Sequence, residues 1–423
     1  MSKAEVEVAI VGAGAAGIGA ARRLHEAGVD VLLIEARARL GGRSFTAPHP
    51  VVGPLDLGCG WLHSGDENPW TTIAERQGHV VERSAAPWSK AALAAGFPAE
   101  QQADFRAASE RFHERLGEAA SGSPDRPASA CLEPGNRWNG LLDAVSTYVS
   151  GADLQRVSAR DLAAYRDSGV NWRLGAGYGA VIARHADGVP LALDCPVSEI
   201  DHSGRRIRLA TPQGEISAER AVVTLPTDLL AREAVTFRPA LPEKSEAARG
   251  LPLGLADKLY MALEGAEEFE VDSRAFGRTD RVATGSYHFR PLGRPVIEGY
   301  FGGALAADLE RGGSAAFFDF ARQELRGLFG AGFADRLRPV ASHSWGADPY
   351  ARGSYSFASP GMAGKRDILA ASVDDRLFFA GEACSPRDYS TAHGALRTGL
   401  AAADAILAAR GRRKPAALVR LRR

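Results

Sequence analysis

The sequence predicts an α/β protein: a mostly parallel sheet built from separated segments, with a second α+β domain inserted between them. Three observations predict it. The stretch from Val6, VEVAIVGAGAAGIGAARRLHEAGVDVLLIE, reads strand, glycine turn, helix, strand. Its first strand is a continuous apolar run, as a parallel strand covered on both faces requires. From about 85 to 165 the texture becomes alanine-rich and helix-periodic, as in AEQQADFRAASERFHERLGEAA, broken by SGSPDRP and EPGN. Strand signals return late. Residues 190–226 alternate around glycine turns and predict a β-meander, and RLFFAGEA at 376–383 is a short apolar strand. Between them, 251–263 and 281–301 are strand candidates and a helix is expected near 314–329. The glycine-studded STAHGALRTGLAAADAILAAR predicts one more helix. The first domain is therefore expected at 1–80, 186–248 and 372–412, and the inserted domain at 81–185 and 249–371. A basic tail, GRRKPAALVRLRR, closes the chain and is assigned to 413–423.

Composition excludes several classes. Over 423 residues, Lys+Arg and Asp+Glu are equal at 51 each, so no net field favours nucleic acid or an anionic membrane. Cys59, Cys131, Cys195 and Cys384 are too few and scattered for a disulfide scaffold or metal knuckle, and no metal is expected. They predict buried thiols in a reducing compartment. The N-terminus enters a strand at once, without a charged leader, and no apolar run reaches the roughly 18 residues of a membrane span. A soluble, cytoplasmic chain is the expectation. Its oligomeric state is not legible.

Gly12, Gly14 and Gly17 form G-x-G-x-x-G between strand and helix. Gly12 permits the tight turn, Gly14 lets a pyrophosphate approach the backbone, and Gly17 allows close helix–strand packing. The free N–H groups of the helix start, from Ala15 and Ala16 on, favour phosphate. Glu35 ends the second strand, where a carboxylate accepts from ribose hydroxyls and repels a 2′-phosphate. This is a Rossmann-like dinucleotide site. The chain continues EARARLGGRS, and Arg43 in its Gly-Gly-Arg loop can lie along a diphosphate.

GAGAAG, the acidic residue and RLGGR together resemble the flavin-containing amine oxidases: monoamine oxidases, polyamine oxidases and the catalytic part of histone lysine demethylases. DLGCGWLHSGDENPW (56–70), WRLGAGYGAVI (172–182), CPVSEID (195–201), DPYARGSYSF (348–357) and FFAGEACSPRDYSTAHGALRTG (378–399) are similar to further family motifs. They run in order over nearly the whole chain. The resemblance implies FAD, with Gly12, Gly14, Ala15, Ala16, Gly17, Glu35, Ala36, Arg37, Gly42 and Arg43 holding the ADP half. It places Val197 at the adenine, Gly58, Gly60 and Trp61 beside the flavin, and Gly381 and Glu382 near the ribityl chain. Thr391 and Ala392 would set a helix start at the pyrimidine edge. Ser354 stands where monoamine oxidases carry the cysteine that binds FAD covalently, so noncovalent FAD is expected.

Lys258 is one of 6 lysines among 45 arginines, inside the apolar run GLADKLYMAL. Unlike arginine, a desolvated lysine can lose its proton. The resemblance implies a water bridge from this ammonium to flavin N5 and a role in oxygen reaction. Tyr355 matches one wall of the family's aromatic cage and Thr391 replaces the tyrosine of the other, which makes the chain more similar to polyamine oxidases. His63 matches a substrate-facing histidine of that group. Trp345 and Tyr350 are candidate pocket walls; Asp66, Glu67 and Glu298 are candidates for holding a distal ammonium. The expected reaction is amine oxidation by hydride transfer to N5, imine hydrolysis and O2 reoxidation to H2O2, on a polyamine or secondary amine. Alternatives are an L-amino-acid oxidase, whose carboxylate-binding arginine cannot be picked out among 45, a protoporphyrinogen oxidase-like flavin desaturase, and a flavin-stabilised scaffold without turnover.

Overall fold

The computed structural model describes residues 4–413. Apart from the backbone of Arg413, the tail assigned to 413–423 lies outside the described residues.

Strand Ala4–Val11 pairs in parallel with Val31–Ile34 on one side and Gly214–Val223 on the other. The intervening helix, Ala15–Glu26, covers one face. The outer edge of Gly214–Val223 pairs first with antiparallel Ile207–Thr211 and then, further along, with parallel Leu377–Phe379. The expected meander exists, but it starts at Glu199–Asp201. Leu191–Ala192 belongs to the opposite edge, in parallel with Val31–Ile34. Proximity in sequence misled here, because a parallel partner can be supplied by any later segment.

The eight-stranded sheet thus draws on three separated stretches of chain. Glycines allow its covering helices to touch. A Cβ at Gly399, in the helix Ala392–Arg413, would lie 2.1 Å from the Ala16 carbonyl oxygen, and one at Gly19 would lie 2.3 Å from Leu396. The glycine studs are the contact surface of this helix pair.

A second sheet of five antiparallel strands has the order Ser273–Phe276, Ser286–Phe289, Val296–Gly302, Ala256–Leu263, Leu337–Ser342. Alternation splits its faces. Leu259, Met261, Ile297, Phe289 and Phe301 point into an aromatic core beneath the helix Gly303–Phe329. Phe301 meets Phe317 edge-to-face at 5.5 Å, and truncating either to alanine would cost about 3–5 kcal/mol. The helix breaks at Gly313, where φ is +74°, so its second half begins where the sequence predicts a helix start.

The other face carries Lys258, Tyr260, Glu298, Tyr300, His288 and Arg274. Cross-strand register aligns them in two rows: Arg274–His288–Glu298–Tyr260 and Phe276–Ser286–Tyr300–Lys258. Helices Ala99–Ala120 and Asn139–Val149 pack beside this sheet, the first over the stretch whose periodicity predicts it.

Candidate active site

One cavity of about 780 Å³ joins the glycine turn of the first sheet to the polar face of the second. At the first sheet, each glycine does a separate job. A Cβ on Gly12, whose φ is +100°, would strike Thr224 Oγ1 at 2.6 Å, and one on Gly17 would lie 1.8 Å from the Gly12 carbonyl oxygen. A Cβ on Gly14 would meet nothing within 4 Å. Gly14 is therefore open to the cavity, Gly17 lies beneath the turn and does not line it, and no side chain caps the helix that follows. Open backbone at an uncapped helix start fits a pyrophosphate.

Glu35 directly follows the strand Val31–Ile34, and its carboxylate already accepts from the Ala13 N–H (2.9 Å) and the Arg37 N–H (2.9 Å). Arg37 and Ala36 line the cavity beside it, with Val197 and Gly42. Tyr350 is a wall of the cavity at its nucleotide end, with the Arg37 guanidinium 5.3 Å from its ring centroid. Arg43 donates to Glu382 Oε1 (2.8 Å) and the Ser354 carbonyl (3.0 Å). Glu382 also accepts from Ser356 Oγ (2.6 Å) and the Ser390 N–H (3.0 Å). Burial would raise its pKa, but Arg43 and its hydrogen bonds hold it below the usual range. At Gly381 a Cβ would meet nothing within 4 Å, so the backbone there is open as well.

Gly58, Gly60 and Trp61 line the middle of the cavity. Trp61 is clamped by the Arg173 guanidinium, 4.7 Å above its ring, and meets Trp88 edge-on at 4.5 Å. Trp345 is a buried wall whose Nε1–H donates to the Leu57 carbonyl (3.0 Å). Thr391 and Ala392 line the same region. The Thr391 hydroxyl accepts from the Gly394 N–H (3.0 Å) and donates to the Asp388 carbonyl (2.6 Å), so it caps its own helix and is not free for a substrate.

Lys258 sits on the second sheet with its Nζ donating to the Asp56 carbonyl (2.9 Å) and 3.1 Å from Glu298 Oε1. A Cβ on Gly60 would come within 3.0 Å of that nitrogen, which shows how closely the Gly60 backbone passes. Burial disfavours the ammonium, yet Tyr300, Glu298 and Asp56 outweigh it and the pKa lies above the ordinary value. The expectation that desolvation readies this lysine to lose a proton is thereby corrected: Lys258 is a fixed cation.

Glu298 is wholly buried and saturated. Tyr260 and Tyr300 donate to Oε1 at 2.7 and 3.1 Å, and Arg173 donates to Oε2 at 3.1 Å. Burial pushes its pKa up, but Arg173, Lys258 and His288 hold it well below the carboxylate range. It cannot also bind a distal ammonium, so that candidacy is corrected. Asp66 and Glu67 are exposed and do not line the cavity, Asp66 accepting from Ser168 Oγ.

Tyr355 lines the cavity with its hydroxyl fixed by donation to the Tyr148 carbonyl. His63 presents a ring about 36% accessible to the cavity although protein surrounds it. Its Nδ1 lies 2.6 Å from Asn171 Oδ1, which assigns the proton to Nδ1 and leaves the Nε2 lone pair free. Burial lowers its pKa against the opposing pull of Asn171 and Asp167.

An open glycine turn at an uncapped helix start, joined to a deep cavity, marks a dinucleotide-binding protein. Comparison makes the class particular. Residues 133–407 match the family of flavin containing amine oxidoreductases, and residues 10–76 match an NAD(P)-binding Rossmann-like domain. The chain belongs to that family; it is a flavin oxidoreductase acting on CH–NH groups, with FAD as cofactor. It is 30% identical to polyamine oxidase 3 of Oryza sativa subsp. japonica over 93% of this chain and 88% of the relative. It is equally identical to lysine-specific histone demethylase 1 homolog 2 of the same rice, where it spans only 57% of the relative. Putrescine oxidase bound to putrescine shares the fold, with a TM-score of 0.78 at 18% identity, covering 96% of this chain and all of that one.

Sequence reading missed Arg173, Tyr300, Trp88 and Arg274 as cavity or network residues. A signal existed for part of this. Lys258 with Tyr260, and Glu298 with Tyr300, place polar groups two apart in apolar strands, so both fall on one face.

Proposed function

We propose that the chain oxidises the C–N bond of a polyamine or another secondary amine, with noncovalent FAD, releasing an imine that water hydrolyses. One observation carries the reading: a single cavity runs from the open Gly14 backbone to Lys258, Tyr355 and His63. FAD, which the open Gly14 and Gly381 backbone and Arg43 would hold, would supply the hydride acceptor for the carbon beside nitrogen and the route of the electrons to O2, giving H2O2. In this reading segments 1–80, 186–248 and 372–412 hold the cofactor, while 81–185 and 249–371 hold the amine.

The protein's own groups have distinct tasks. Hydride loss needs a neutral amine, and the free Nε2 of His63, whose protonation burial disfavours, can accept a hydrogen bond from the amine N–H and hold it in place. Tyr355 offers an aromatic face, held still by its bond to the Tyr148 carbonyl. Lys258 is a permanent positive charge beside Gly60, placed to favour developing anionic character and to orient a water. Trp61, Trp88 and Tyr355 limit competing water. Ser354 uses its hydroxyl to bridge the Ala256 N–H and carbonyl and offers no thiol for a covalent link. Cys59 also lines the cavity, but burial raises its pKa to about 12 and keeps it an unreactive thiol. The four free cysteines accord with a reducing, cytoplasmic setting, and no helix among the described residues is long and apolar enough to cross a membrane.

Anaerobic mixing of the yellow holoenzyme with a panel of amines and amino acids tests this. Bleaching by secondary amines, reversed by air with formation of peroxide, is expected. A flavin that no member of the panel bleaches would refute it.

A further inference from the structure

Of the three arginines that line the cavity, two have carboxylate partners, as does Arg173 beside Trp61. Arg173 pairs with Glu298, Arg43 with Glu382, and Arg37 with Glu35 and Asp348. Arg366, away from the cavity, grips Asp161 through two bonds of 2.8 Å. Arg274 is the exception. It lines the cavity from the edge strand Ser273–Phe276, and its side chain has no hydrogen bond or ion pair among the described residues. Its Nε is buried without any partner, and the guanidinium rests only on the Phe276 ring, 5.1 Å from the centroid.

Such a charge is unfavourable where it stands. Burial, opposed by no nearby carboxylate, lowers its pKa to about 10, so the group remains cationic at neutral pH. A half-buried cation without a partner is unfavourable, and an entering anion relieves it. The planar fork of arginine fits a carboxylate through paired N–H bonds.

We propose that Arg274 is a substrate-binding residue that recognises a carboxylate at the end of the substrate remote from the oxidised C–N bond. This rests on the amine-oxidase reading above. Register supplies the distance. Arg274 lies three strands from Lys258 on the same face, in the neighbouring row, so at about 4.8 Å per strand and about 3.3 Å per residue their backbones stand about 16 Å apart. That span is too great for a carboxylate on the carbon that bears the amine. It suits an amine and a carboxylate separated by several methylenes. The cavity's acidic lining fits this orientation: Glu35 and Glu382 are tied to arginines, and Asp167 stands 3.8 Å from His63 at the amine end. A second ammonium reaching Arg274 would be repelled, so within the reading above the inference selects a carboxylate-bearing secondary amine over a polyamine.

The test uses holoenzyme with a matched pair, 6-(methylamino)hexanoate and N-methylhexylamine. The carboxylate member is expected to show kcat/KM about ten- to a hundredfold higher, mostly through KM. Arg274→Met should bring the ratio close to one, and Arg274→Lys should restore part of it. Equal kcat/KM for the pair in the wild type, or a preference that survives Arg274→Met, overturns the proposal. Hexanoate binding to the same proteins, followed by calorimetry, separates this failure from failure of the amine reading. If neither amine bleaches the flavin yet hexanoate binds at least tenfold more weakly to Arg274→Met, the anion site stands without the oxidase. Equal hexanoate affinities overturn the site itself.

Discussion

Lys258 Nζ and Glu298 Oε1 lie 3.1 Å apart on neighbouring strands, in an environment where Glu298 has no solvent contact at all. The pair is the centre of a larger arrangement, since the same carboxylate also holds Arg173, Tyr260, Tyr300 and His288. One buried anion therefore compensates two buried cations. The carboxyl group is what allows the sheet to present a fixed positive charge to the cavity.

Glu298→Gln removes that anion and leaves Lys258 and Arg173 as uncompensated cations. Loss of about 3–5 kcal/mol of stability is expected, as for breaking a buried pair from one side. Calorimetric unfolding checks it, and a midpoint unchanged from wild type would show that the network contributes nothing net.

Lys258→Met removes one cation and leaves Arg173 with Glu298, so folding and FAD binding should persist. Flavin reduction by amine or reoxidation by O2 should slow substantially, the loss of one preorganised charge being worth about a hundredfold or more. Stopped-flow traces of both half-reactions decide the matter. Wild-type rates in both would remove Lys258 from the mechanism.

The two glycines of the turn should separate cofactor binding from folding. A Cβ at position 14 enters open space, so Gly14→Ala should leave the apoprotein's midpoint near wild type and weaken FAD binding. A Cβ at position 17 falls 1.8 Å from the Gly12 carbonyl oxygen, so Gly17→Ala should lower the midpoint itself. Apoprotein melting and fluorescence titration with FAD test both; a reversed order would contradict the assigned roles.

Asp257 gives a pH test. Burial, then the neighbouring Glu310, raises its pKa well above the ordinary value, and Oδ1 accepts from the Trp345 N–H at 3.1 Å. A folded-state pKa above the unfolded one stabilises fully below about pH 4, and the contribution is lost as pH rises toward the folded value. Asp257→Asn keeps the acceptor and removes the ionisation. Its melting temperature relative to wild type should rise as pH climbs above about 4 and level off once the folded-state value is passed, and parallel curves would refute the shift.

Ser354 predicts that acid precipitation releases the yellow cofactor into the supernatant. Colour retained in the washed pellet would establish a covalent bond.

Local pattern made much of the fold legible. The glycine triplet, the apolar first strand and Glu35 act through neighbours within about thirty residues, where turn geometry and periodicity are sufficient. The helix Ala99–Ala120 and the glycine studs of the last helix were legible for the same reason. The placement of Leu191–Ala192 was not, because a parallel pairing is set by what else competes for the edge.

Short motifs whose chemistry travels with them were enough to read the α/β frame with its inserted domain, the dinucleotide turn and the family. Charge states and partners came only with the packed molecule. It turned Glu298 from a candidate substrate ligand into the anion that anchors Lys258, and it singled out Arg274 among 45 arginines. The reason is physical: a side chain's chemistry depends on burial and on the charges within a few ångströms, and those come from residues far apart in the chain.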